Sequence, residues 1–119
     1  MKILNFSENV GLIVLLKPKS RFFQEKLICV ATTHLLYNPK RGDCKLAQIQ
    51  LFLAHLDRMA HRSTELVDGK LRISYHPIVL CGDFNLTSES HLYDYLSSGR
   101  LVNYKEMNSY YLSGMVVQN

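Results

Sequence analysis

Cysteine is scarce in this chain: Cys29, Cys44 and Cys81 are odd in number and lack the spacing of a metal clip. Two of them lie inside apolar runs, and all three read as reduced thiols of a protein kept inside the cell and not secreted. Long hydrophobic stretches are missing as well. The longest, Val10 to Leu16, is far too short to cross a bilayer, and the N-terminus lacks the organisation of a signal peptide. The expectation is an intracellular protein, in cytoplasm or nucleus, with no membrane partner. There is no internal repeat and no low-complexity tract, so residues 1–119 are expected to form one continuous structural unit.

What is present fits an ordinary globular domain. Hydrophobic residues make up 47% of the chain and charged residues 20%, a balance typical of a single soluble core. The net charge of +4 is modest, but the cations are grouped. Lys17, Lys19, Arg21 and Lys26 surround one turn, Lys40, Arg41 and Lys45 another, and Arg58, Arg62, Lys70 and Arg72 follow. That grouping suits an anionic partner such as a nucleic-acid backbone, and equally a solvated basic surface.

Patterning orders the elements. Val10 to Leu16 is apolar without alternation and rich in branched residues, which predicts a strand buried on both faces. Lys17-Pro18-Lys19-Ser20 predicts a turn, and Leu27 to Thr33 a second strand pairing back as a hairpin. Asn38 to Asp43 contains Pro39 and Gly42 and is expected to be a loop. Leu46, Ile49, Leu53, Leu56 and Ala60 recur at steps of three and four, the stripe of an amphipathic helix over about residues 43–62, with Asp43 as its N-cap. Ser63 to Ser74, with Asp68-Gly69, is expected to be an exposed connection. A third buried strand is expected at Pro77 to Cys81, then a short helix capped by Thr87 or Ser88, running through Leu96 and ended by Gly99. The tail from Met107 shows no clear periodicity. Strands at both ends of a helix imply a layered α/β protein.

The strongest local feature is Gly82-Asp83-Phe84-Asn85, directly after an apolar strand. A carboxylate and an amide two residues apart share one side of a strand end, and Gly82 allows close approach. Asp83 is therefore a candidate general base or metal ligand, and Asn85 a candidate hydrogen-bond donor to a phosphate oxygen. Both residue types also build plain turns, and from the tetrapeptide alone the two readings stand level. His34 ends the second strand and Asn38 follows in the loop, so both are expected at the same sheet edge as Asp83. An imidazole there suits a phosphate or a leaving-group oxygen, although a lone strand histidine is more often structural. His55, His61, His76 and His91 have no partner spacing and are read as surface residues.

Taken in order, Thr33-His34-Leu35, Asn38-Pro39, Gly42-Asp43 with Lys45 and Gln48, and Gly82-Asp83-Phe84-Asn85 resemble the endonuclease/exonuclease/phosphatase superfamily. The unbroken string from His34 to Gln48, with Asn9-Val10-Gly11-Leu12 and Pro77 to Asn85, is similar to the angel homologues, relatives of nocturnin and the carbon-catabolite-repression deadenylases. The resemblance covers about residues 8 to 105. It implies a four-layer α/β sandwich, of which this chain is a part, and hydrolysis of phosphate esters in RNA. The activity implied is a 2′,3′-cyclic phosphatase or a 3′ exonuclease of the deadenylase type. It also implies a Mg²⁺ site, with Mn²⁺ as the alternative ion. Carried over residue by residue, Asp83 helps activate water and is a metal ligand, Asn85 orients the phosphate, His34 contacts the phosphate or leaving group, and Asn38 supports the pocket.

By the same resemblance, the metal-site glutamate belongs before Met1 and a closing Asp-His pair after the last residues here. The chain alone is therefore expected to be an incomplete domain, weakly active or inactive, and open to self-association through exposed sheet edges. Two other readings compete. One is a noncatalytic RNA-binding or regulatory remnant, and the other keeps the fold but turns to DNA, inositol or sphingolipid phosphodiesters.

Overall fold

The computed structural model describes residues 1–6, 9–19, 26–101, 108 and 111–115, with the backbone alone at 5 and 6. Its elements in chain order are β1 (Lys2–Phe6), β2 (Asn9–Leu16), β3 (Ile28–His34), α1 (Gly42–Ala60), β4 (His61–Val67), β5 (Lys70–Tyr75), β6 (Ile78–Asp83) and α2 (His91–Ser98). Four strands make one sheet in the order β1-β2-β3-β6, and β4 with β5 makes a separate ribbon. The expected hairpin is present, with β2 and β3 antiparallel from Gly11↔Thr33 to Leu16↔Ile28. Strand β6 joins β3 in parallel, and the crossover between them carries α1. The fold is α/β, as expected.

One face of the sheet is dry. Leu4, Ile13, Cys29 and Ala31 point to α1 and pack against Phe52, Leu56 and Ala60. Each large apolar side chain buried this way stabilises the fold by about 1.5–3 kcal/mol. A second cluster joins Leu35, Leu46 and Ile49 to Leu92 of α2 and to Leu112. The strands alternate, so Val10, Leu16, Ile28 and Val79 face the other way and remain open, between 38% and 51% exposed. This corrects the expectation that β2 and β6 are buried on both faces: an unbroken apolar run here marks a strand covered on one side only.

Four further expectations change. Strand β1 was not foreseen; it pairs with β2 from Lys2↔Ile13 to Phe6↔Asn9. Residues 63–74 are not a plain connection but the β4–β5 ribbon, turned at Asp68 and Gly69, both in the left-handed region at φ 50° and 73°. Helix α2 is capped by Ser90, whose Oγ accepts the Tyr93 N–H at 3.1 Å, and neither Thr87 nor Ser88 takes that place. Gly99 ends it in the left-handed conformation, as expected. Residues 111–115, from the tail without periodicity, pack onto the second cluster through the buried Leu112, while Thr87 N–H donates to the Ser113 carbonyl at 3.0 Å. Arg21 and Met107 lie outside the described residues.

Candidate active site at the β3–β6 strand ends

Parallel register brings the candidate residues together. The pairing that begins at Cys29↔Ile78 reaches Thr33↔Gly82 and His34↔Asp83 at the carboxyl ends of the two strands. His34 Nε2 stands 3.7 Å from Asp83 Oδ2, with 65% of each side chain exposed. At that exposure the pair adds little to stability. The same exposure leaves both groups free to meet a ligand, on the face of the sheet that α1 does not cover. A shallow groove of about 330 Å³ opens here, lined by Val10, Leu12, Thr32, Thr33, His34, Gly82 and Asp83.

The turn after β6 is held from three sides. Asp83 Oδ1 accepts the Asn85 N–H at 3.0 Å, closing a two-residue side-chain turn. Asn85 sits at φ 48°, a left-handed conformation that asparagine tolerates better than most residues. Its Nδ2 donates to the Leu35 carbonyl at 2.9 Å, which ties the turn to the end of β3. Among the described residues, one Nδ2 hydrogen and the Oδ1 lone pairs carry no hydrogen bond. One Asp83 oxygen thus closes the turn while the other faces His34.

Beneath the turn lies a lysine that sequence reasoning counted among surface cations. Lys45 is fully buried, and its Nζ donates to the Asn85 carbonyl at 2.9 Å and approaches Met115 Sδ at 3.2 Å. Burial pushes its pKa below the ordinary lysine value, and the charge of Asp83 partly opposes that shift. A signal was available: Lys45 falls in phase with Ile49, Phe52 and Leu56 on the buried stripe of α1. Gln48 performs a related task one turn on. Its Oε1 accepts the Leu36 N–H at 3.0 Å, and its Nε2 donates to Asn9 Oδ1 at 3.2 Å.

Asp43 is placed differently from expectation, and Asn38 is engaged in its own loop. Asn38 closes its own loop, with Oδ1 accepting the Lys40 N–H at 3.0 Å and its carbonyl the Arg41 N–H at 3.2 Å. Arg41, not Asp43, holds the N-cap position of α1, without a side-chain cap bond. Asp43 lies in the first turn, where it meets the positive helix end and takes a two-pronged contact from Arg41 at 2.8 and 2.9 Å. That contact, foremost, holds the Asp43 carboxyl below its usual range.

A Mg²⁺ ion requires near-octahedral oxygen coordination. Among the described residues no group of three or more His, Cys, Asp and Glu side chains could share a metal ion. The donor set at the strand ends is one carboxylate, Asp83, with one oxygen already engaged. These residues do not fit a complete Mg²⁺ site, and the chemistry assigned below rests on side chains alone. Among the described residues no helix is long and apolar enough to cross a membrane.

No family model matches the chain. It is 48% identical over 94 residues to protein angel homolog 2 of Homo sapiens, covering 79% of this chain and 16% of that protein. It is 42% identical over 121 residues to protein angel homolog 1 of Homo sapiens, covering 96% of this chain and 16% of that protein. The chain thus spans about a sixth of the length of these curated relatives. Its structure superposes with a TM-score of 0.78 and 44% identity on the crystal structure of ANGEL2, a 2′,3′-cyclic phosphatase, in complex with adenosine-2′,3′-vanadate, covering 93% of this chain and 29% of that one. The chain belongs to the endonuclease/exonuclease/phosphatase superfamily, in the group of the angel homologues.

Proposed function

We propose that this chain carries the His34–Asp83–Asn85 part of a phosphoester-hydrolase site that acts on 2′,3′-cyclic phosphate ends of RNA. The observation that carries the reading is the meeting of an exposed imidazole and an exposed carboxylate, 3.7 Å apart, at a rim built by a parallel strand pair. Kinship with ANGEL2, a 2′,3′-cyclic phosphatase, supports the choice of substrate. Asp83 takes a proton from water as the water oxygen bonds phosphorus. One phosphorus–ribose oxygen bond breaks, and the freed ribose oxygen gains a proton from His34. The unused Asn85 amide hydrogen holds a phosphate oxygen. Asp83 then gives up its proton and His34 regains one, directly or through solvent, and a second water releases phosphate in the same way. Mg²⁺ or Mn²⁺ is the ion expected of the complete domain, and Asp83 is the carboxylate this chain offers it. Asn38, bonded within its own loop, is assigned no role in the pocket.

The test is a chimera in which these residues replace the aligned segment of ANGEL2. It is expected to convert an oligoribonucleotide ending in a 2′,3′-cyclic phosphate into one ending in free hydroxyls. A chimera that folds like ANGEL2 yet leaves the cyclic end intact contradicts the reading. Shortening of a poly(A) strand in place of end hydrolysis would assign the segment to 3′ exonuclease chemistry.

A further inference from the structure

At the other end of the sheet from Asp83, the structure gathers two cations and an imidazole from three separate segments. Lys26 precedes β3, Arg62 lies at the start of β4, and His76 follows β5. Together with Leu27, Tyr75 and Pro77 they line a pocket of about 290 Å³. Among the described residues no carboxylate lines it.

We propose that this pocket binds a backbone phosphate of single-stranded RNA, with Arg62 and His76 contacting the phosphate and the Tyr75 ring offering a stacking wall for an adjacent base. The choice of RNA over other polyanions rests on the function proposed above.

Five features set this pocket apart from a solvated basic surface. Its frame is rigid: His76 N–H donates to the Ala60 carbonyl at 2.8 Å, and Cys29 N–H donates to the Pro77 carbonyl at 2.8 Å. These bonds anchor the pocket to the end of α1 and the start of the β3–β6 ladder. Arg62 sits where the β4–β5 register slips between His61 and Ser63, and such irregularities redirect a side chain out of the regular alternation. Tyr75 is fixed by its hydroxyl, which donates to Asp57 Oδ1 at 2.7 Å, so its ring is held in place while still 42% exposed. Cation with aromatic is the pairing that single-stranded nucleic acid uses, a charge for the phosphate and a ring for the base. The pocket also lies in line with the proposed site. Strand β6 runs from Ile78 beside it to Asp83, five steps or about 17 Å along the strand.

The measurement is fluorescence anisotropy of this chain with an end-labelled single-stranded oligoribonucleotide across a salt series. Arg62→Ala and His76→Ala are each expected to weaken binding about tenfold, the loss of one contact to a phosphate. Removing Arg62 should also lower the slope of log affinity against log salt by about 0.7, with Arg62→Lys restoring most of it. Lys17→Ala, an exposed cation outside the pocket, should leave affinity unchanged. Equal losses from Lys17→Ala and Arg62→Ala, or wild-type affinity in the Arg62→Ala/His76→Ala double variant, overturns the proposal. The measurement involves no turnover, so an inactive chimera would sink the catalytic reading and leave this one standing.

Discussion

In ANGEL2 carrying this chain's residues, Asp83→Asn is expected to slow cyclic-phosphate hydrolysis by about a hundredfold to ten-thousandfold, the range that a placed general base contributes. The circular dichroism of the variant should match that of the unmodified chimera. Asparagine keeps the oxygen that accepts the Asn85 N–H, so the turn that Asp83 closes survives the change. What is lost is the second carboxylate oxygen, which faces His34, and the charge that attracts a proton. The substitution thereby separates the two readings of Asp83. A residue that only builds a turn tolerates asparagine in both fold and rate, and a chimera whose rate falls less than about tenfold would return Asp83 to that lesser role.

The second large effect concerns the fold. Gly82→Ala is expected to abolish cooperative folding of the chain, read as loss of the unfolding transition in urea. Gly82 sits at φ 139°, a region that L side chains rarely adopt. A Cβ there would collide with the Thr33 carbonyl oxygen and lie 2.9 Å from the Thr33 nitrogen. Both are backbone atoms of the neighbouring strand in the ladder that sets His34 beside Asp83, so no side-chain rotation relieves the clash. Backbone conflicts of this kind cost about 4 kcal/mol or more, a large share of the roughly 5–15 kcal/mol that holds a domain together. An urea midpoint equal to that of the unsubstituted chain would show that the strands do not approach as closely as the structure has them.

Much of this was legible from residue order, and the misses have physical reasons. The stripe of α1 and the β2–β3 hairpin emerge from periodicity because Leu46, Ile49 and Leu56 report directly on one buried face. Asp68-Gly69 is a strong signal for a tight hairpin turn, yet β4 and β5 were missed. Leu66, Leu71 and Ile73 are 55% to 71% exposed, so the ribbon's apolar side has no core to announce it. The reverse error arose at β2 and β6, where apolar residues on the open face imitate a doubly buried strand. At the site, the neighbourhood of His34 and Asp83 followed from two strand ends, but their register depends on a parallel crossover that local pattern does not specify. Lys45 escaped because a cation in a loop-to-helix segment reads as solvent-facing. Only its phase with Ile49 and Phe52 places it under the Asn85 turn, where its ammonium supports a backbone carbonyl 40 residues away in sequence.

The central assertion is that the ends of β3 and β6 present one phosphate-handling surface. Its most direct test is a crystal structure of the ANGEL2 chimera with adenosine-2′,3′-vanadate bound. Vanadate oxygens are expected within hydrogen-bond reach of His34 and of the Asn85 amide, with Asp83 beside the vanadium. Vanadate bound with those three side chains turned away, or seated at a different edge of the sheet, would contradict it.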